Sequence, residues 1–246
     1  MKPTLYNFLK KRFKRIIHAA GYDVHSHNIF TSEEVLLQTI LEHFNIRTIL
    51  DVGANEGQFG SKIIDLGYSG KIYSFEPIVS VHKTLEVNAS KFPQWTTINM
   101  GIGSKEEELM INVSENLASS SVFNVDQKSV EAEPATRTTH KEKIKITTID
   151  SFVSKQKNLA YEILLKLDIQ GFELEALKGA RTSLAKFKLI QVELSFIPVY
   201  EQAPLYKEVI GFLEENDFEI FTLTPAFIDG KTGRMLQADG IFVRKN

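Results

Sequence analysis

Short apolar runs alternate with segments of helical period along this chain, and that alternation restricts its fold more than any other feature. Thr48–Val52, Lys71–Phe75, Thr96–Met100, Ile163–Leu167 and Leu189–Leu194 read as strands. Phe59–Leu66, Val79–Ser90, Glu173–Lys186 and Leu205–Asn216 carry apolar residues at helical spacing between or after them. Parallel strands need crossovers of this kind, so the expected fold is α/β, a largely parallel sheet with helices on both faces. Glu219–Leu223 and Gly240–Arg244 close the chain without an intervening helix. Such a pair predicts one antiparallel edge strand.

Between Gly103 and Thr147 the pattern breaks. Glu108–Val113 and Ser121–Val125 read as an inserted β-hairpin, and Asp126–Lys143 is polar and without period. A loop this long beside a site reads as a lid or binding segment.

Charge divides the chain. Of 246 residues 43% are hydrophobic and the formal net charge is −2, yet residues 1–30 carry six basic side chains against the single acid Asp23. Leu5, Phe8, Leu9, Phe13, Ile16, Ile17 and Ala20 fall on one helical face, opposite Lys10, Lys11, Lys14 and Arg15. Residues 1–30 therefore read as a basic amphipathic extension and 31–246 as the folded domain, whose first helix runs from about Glu33 to Phe44. The extension has two readings. It docks on the body or on a second subunit, making a homo-oligomer, or residues 5–20 lie on an anionic membrane surface.

Composition also excludes. The chain has no cysteine, which removes disulfides and thiolate chemistry and suits a cytoplasmic protein. No apolar run nears the roughly 20 residues of a membrane span, and the charged N-terminus is not a secretory signal. The near-neutral total predicts no dedicated nucleic-acid partner.

The stretch Asp51-Val-Gly-Ala-Asn-Glu-Gly-Gln-Phe59 leaves a strand and enters a helix. Gly53 and Gly57 let the backbone bend and approach a ligand, which places a binding loop over Asp51, Gly53, Ala54, Asn55, Gly57, Gln58 and Phe59. A dinucleotide fingerprint would need glycine at positions occupied by Asn55 and Gln58, and Glu56 would repel a pyrophosphate. Asp51 instead suits a cofactor with positive charge, such as S-adenosylmethionine. Glu76, ending the next strand, is placed to accept the ribose hydroxyls of an adenosine cofactor.

These segments resemble the FkbM family of S-adenosylmethionine-dependent methyltransferases. Its pattern is similar to Asp51-Val-Gly-Ala-Asn55, Phe75-Glu-Pro77, Gly101-Ile-Gly-Ser104, Leu117-Ala-Ser-Ser-Ser121, Lys166-Leu-Asp-Ile-Gln-Gly-Phe-Glu173 and Val192-Glu193, in that order. The resemblance implies a seven-stranded, Rossmann-like class I methyltransferase fold and O-methylation, commonly of hydroxyls in sugars, glycans or secondary metabolites. It adds Pro77, Gly101, Ile102 and Asp168 to the expected cofactor contacts. Gln170 departs from the pattern, which more often has Glu there.

Methyl transfer to a hydroxyl requires alignment and is helped by a base. Asp168, at the end of the fourth core strand, is the leading catalytic candidate, with Glu193 as its neighbouring carboxylate. The two could share a divalent cation, but cofactor binding and satisfaction of buried groups are the favoured roles, so no metal site is assigned. Ser120, Ser121, Phe196 and Tyr200 are the substrate-binding candidates, for a saccharide or other small hydroxyl acceptor. Two other readings are an NAD-linked oxidoreductase or epimerase, and an inactive methyltransferase fold kept as an interaction module.

Overall fold

The computed structural model describes residues 3–157, 159–160 and 162–245; Lys2 of the basic arm lies outside them, as does the side chain of Leu5. The chain divides into two compact units, residues 1–42 and 43–246, where the sequence had placed a boundary at residue 30. The first unit holds α1 (Pro3–Ala19) and all but the last residue of α2 (Glu33–His43). No acidic residue falls within α1, and Phe8, Leu9, Phe13 and Ile16 are each more than half exposed.

The second unit runs β1 (Thr48–Val52), α3 (Gln58–Asp65), β2 (Lys71–Phe75), α4 (Val79–Ala89), β3 (Trp95–Ile98), β4 (Gly101–Ile102) and β5 (Glu107–Ser114). It continues through α5 (Gln127–Ala132), β6 (Thr138–Thr147), α6 (Ile149–Lys155), β7 (Ile163–Leu167), α7 (Glu173–Lys178), β8 (Phe187–Ser195), α8 (Tyr206–Glu215), β9 (Phe218–Ile228) and β10 (Met235–Arg244). Seven strands form one sheet in the order β3-β2-β1-β7-β8-β10-β9. β3 to β8 are parallel, while β10 runs against both β8 and the edge strand β9.

Every residue of β1 and β7 is buried, because helices cover both faces and the strands need apolar residues at every position. Three positions break that rule, the hydroxyl of Thr48 and the two charges of Asp51 and Lys166. Asp51 of β1 and Lys166 of β7 are register partners, and the same row continues to Ser74 of β2 and Gln191 of β8. All four are buried. A polar row thus crosses four adjacent strands of an otherwise apolar sheet, one residue before the turn that ends β1.

The insertion differs from the expected hairpin. Glu107–Ser114 pairs antiparallel with Thr138–Thr147, not with Ser121–Val125, which contributes the isolated bridges Asn112↔Ser121 and Val125↔Tyr200. β6 escapes a reading by period because Thr138–Lys143 is charged or hydroxylated and largely exposed, and only Ile144 and Ile146 mark its buried face. With β4 these strands make a small second sheet, β4-β6-β5. The helix expected over Glu173–Lys186 stops at Lys178. A Cβ on Gly179 would stand 2.0 Å from the Gly103 carbonyl oxygen, so the glycine admits a close crossing of two backbones.

Candidate active site

A cleft, the candidate cofactor site, opens at the carboxyl ends of β1, β2 and β7. Gly53, with φ +78°, turns the chain so tightly that an added Cβ would lie 1.9 Å from the Asp168 carbonyl oxygen. Its amide and that of Ala54 both donate to the Phe75 carbonyl, at 3.0 Å each. The glycine therefore lets the β1 loop close against the ends of β2 and β7 together.

Glu76 caps β2 and faces the cleft. Its Oε2 accepts the Asn55 amide at 3.1 Å and its Oε1 the Ile78 amide at 2.8 Å. Burial pushes its carboxyl up to about 7, against the pull of those two amides. Each carboxylate oxygen keeps a second lone pair for a ligand hydroxyl. Apolar walls surround it, including Ile78, Ile102, Ile144 and Ile146. A carboxylate beside an apolar slot is a donor-accepting set suited to adenosine, so the residues fit the nucleoside of S-adenosylmethionine. The enclosed space is about 70 Å³, narrowed by Leu117, Ala118, Ser120, Ser121 and Val122 lying over it. That is below the roughly 300 Å³ at which small-molecule sites begin.

Beneath the cleft lies a chain of polar contacts. Trp95 Nε1 donates to Ser74 Oγ at 2.9 Å, and Ser74 Oγ donates to Asp51 Oδ2 at 3.0 Å. Lys166 Nζ is 3.2 Å from Asp51 Oδ1 and 3.5 Å from Asp168 Oδ2, with the Phe59 ring 5.2 Å away. Burial alone would lower the Lys166 pKa, but Asp51 and Asp168 outweigh it and hold the ammonium above its ordinary value. Gln170 Nε2 then donates to Asp168 Oδ1 at 2.8 Å. Glu193 Oε2 accepts from Gln237 Nε2 at 2.7 Å and only weakly, at 3.5 Å, from Gln170. Burial, then Asp168, pushes the Glu193 carboxyl well above its usual range.

Glu173 shapes the turn after β7. Its Oε1 accepts the amides of Ile169 and Gly171 at 3.0 and 3.2 Å, and burial pushes the carboxyl up to about 7. This holds Gln170 in a left-handed conformation, φ +54°, with its Oε1 accepting the Tyr200 hydroxyl at 2.7 Å. A second cavity, of about 590 Å³, opens on the far side of Gln170.

The expected residues divide accordingly. Gly53, Asn55, Glu76, Pro77, Gly101, Ile102, Asp168, Ser120 and Ser121 line the first cleft, and Tyr200 lines the second cavity. Asp51 lines neither. It is wholly buried and its two oxygens face Lys166 and Ser74, so its negative charge is met from within the protein. Ala54, Gly57, Gln58 and Phe59 also stand outside the cleft; a Cβ on Gly57 would meet Leu85 and Trp95, which makes that glycine a packing requirement. Glu193 lies behind Gln170 and Gln237 and lines neither cavity, so it supports those amides. Phe196 lines neither cavity, and its ring packs on Tyr206, centroids 4.8 Å apart. Among the described residues no three His, Asp or Glu side chains converge as a cation site.

Lys166 is the residue that sequence reasoning passed over. A lysine inside Ile163-Leu-Leu-Lys-Leu167 was itself a signal, because a charge in a fully buried strand demands a partner. Gln237 carried no such signal.

Seven strands in this order, with a glycine turn after β1 and an acid ending β2, define a Rossmann-like class I methyltransferase fold. The chain belongs to the FkbM methyltransferase family: residues 51–220 match the Methyltransferase FkbM domain. Among curated proteins none matches it. Solved structures similar in fold include an rRNA methylase from Streptococcus thermophilus, with 11% identity, a TM-score of 0.48, and 88% of this chain and 98% of that one covered. A putative RNA methyltransferase from Pyrococcus horikoshii gives 11%, 0.46, 87% and 83%. Magnesium protoporphyrin IX methyltransferase from Synechocystis PCC 6803, solved with bound SAM, gives 9%, 0.45, 96% and 90%.

Proposed function

We propose that this protein transfers a methyl group from S-adenosylmethionine to a hydroxyl of a sugar or glycan. The observation that carries the reading is the position of Asp168. Its carboxylate lines the cofactor cleft, is partly exposed, and is oriented by Lys166 on one oxygen and Gln170 on the other. S-adenosylmethionine, when bound, supplies an electrophilic methyl group. Glu76 and the isoleucine walls hold the adenosine end. Asp168 accepts the proton of the acceptor hydroxyl, and Gln170 fixes the carboxylate for that task. The segment 117–122 excludes water from above.

Transfer of labelled methyl to a panel of oligosaccharides and nucleotide sugars tests the reading. Asp168→Asn is expected to lower turnover by about 10²–10⁴-fold while leaving cofactor affinity within a few-fold. Label appearing only in acceptors that lack sugars would remove the glycan part of the proposal.

Among the described residues no helix is long and apolar enough to cross a membrane. The half-exposed apolar residues of α1, beside five cations and no acid, support peripheral contact with an anionic lipid surface through residues 5–20. Flotation with anionic vesicles, lost on deleting residues 1–30, checks this.

A further inference from the structure

We propose that the cavity beyond Gln170 is the acceptor site, and that it takes an uncharged polyhydroxylated ring compound of mono- to disaccharide size. The inference rests on the methyltransferase reading above and adds where the acceptor sits and what selects it. The cavity is bounded by α5, the loop following β8 and the β9–β10 hairpin. Its volume, about 590 Å³, falls in the middle of the range for small-molecule sites.

Position is the first argument. Gln170 is the one described residue that lines both this cavity and the cofactor cleft. Its carboxamide nitrogen holds Asp168 at 2.8 Å and its oxygen accepts from Tyr200 at 2.7 Å. A ring lodged in this cavity is therefore one residue, Gln170, away from the carboxylate of Asp168.

Chemistry is the second. Ser129 and Thr136 bring hydroxyls and Gln237 an amide, all of which donate and accept as vicinal sugar hydroxyls require. Phe227, on the hairpin and 43% exposed, offers a ring face to the C–H side of a sugar. The lining carries two carboxylates, Asp126 and Glu133, to one guanidinium, Arg234. A nucleic acid would call for clustered lysine and arginine to meet its phosphates, and this balance opposes it.

Saturation-transfer NMR on the full chain provides the test. The probes are methyl glycosides of common hexoses and of N-acetylglucosamine, with glycerol and a short oligoribonucleotide as comparisons. S-adenosylhomocysteine binding by calorimetry is measured in parallel on the same samples. Ser129→Trp places an indole in the cavity without touching the cofactor cleft, and Gln237→Leu removes an amide of the same length. We expect one or more glycosides to show transfer, each variant to abolish it or weaken it at least tenfold, and S-adenosylhomocysteine affinity to stay within twofold. Retained cofactor affinity also shows that the variants are folded. Glycosides that bind wild type and both variants alike would overturn the assigned location. Transfer only to the oligoribonucleotide, or to none of the probes, would overturn the assigned class. Failure of S-adenosylhomocysteine to bind wild type would instead overturn the methyltransferase reading, while glycoside transfer would still report on the cavity.

Discussion

Lys166 and Asp51 face each other across neighbouring parallel strands, 3.2 Å apart and buried beneath the cofactor cleft. Lys166 is the charge partner of the wholly buried Asp51 and also meets the partly exposed Asp168, so Asp51 has the most to lose when the lysine goes. Removing one partner should therefore cost more than removing both. Lys166→Met is expected to destabilise the protein by about 3–5 kcal/mol, and adding Asp51→Asn should recover more than half of that loss. Urea denaturation of the two single variants and the double variant checks this. Additive losses would mean that the two charges are satisfied separately.

The two glycines at Gly53 and Gly67 share a left-handed backbone but differ in surroundings. Their φ values are +78° and +90°, yet a Cβ at Gly67 meets nothing within 4 Å while one at Gly53 collides with the Asp168 carbonyl. Gly67→Ala then costs only the conformational term, about 1–2 kcal/mol. Gly53→Ala must also push β1 and β7 apart, and it is expected to cost about 3 kcal/mol or more and to abolish S-adenosylhomocysteine binding. Thermal melts with and without that ligand separate the two effects.

What the sequence disclosed follows from which physical signals are periodic. β1, β2, β7 and the core of β8 announce themselves because strands covered on both faces are continuous apolar runs. Gly53 and Glu76 were legible because a tight turn and a strand-end acid have few alternatives. β6 was not, since its exposed face is charged and only two isoleucines mark the buried one. The pairing of Asp51 with Lys166 was not legible because a contact between distant strands leaves no local trace: Lys166 is brought beside it only by sheet register. The second cavity was illegible for the same reason, being assembled from α5, a loop and a hairpin far apart in the chain.

Glu76 gives the protein a pH dependence of defined sign. Its folded-state pKa of about 7 stands above the ordinary 4.5, so the folded form holds the proton more tightly. Stability from this group is complete below about 4.5 and declines as pH rises toward 7, by about 3 kcal/mol at most. Ligand binding runs the other way, because only the ionised carboxylate accepts two ribose hydroxyls. S-adenosylhomocysteine affinity should rise as pH increases through 7, and Glu76→Gln should flatten that rise while weakening binding. Glu173 also titrates near 7 but contacts only its own turn, so calorimetric affinity across the pH range distinguishes the two.

The segment 117–122 is paired with β5 through the backbone amides and carbonyls of Asn112 and Ser121, and a Ser121 side-chain bond ties it to the turn after β7. Ser121 Oγ donates to the Gln170 carbonyl at 2.6 Å, and the Tyr200 hydroxyl, whose one proton goes to Gln170 Oε1, stands 3.1 Å from the Ser119 carbonyl. Leu117, at φ +56°, stores backbone strain at the segment's start, which favours release. Removing one neutral hydrogen bond is worth about 1 kcal/mol, or roughly fivefold in the opening equilibrium. Ser121→Ala is therefore expected to raise the association rate of S-adenosylhomocysteine about fivefold. Its dissociation rate should rise comparably, leaving affinity little changed, because opening precedes both entry and exit. Stopped-flow fluorescence reads both rates. An unchanged association rate would show that the cofactor enters by another path and that the segment stays shut.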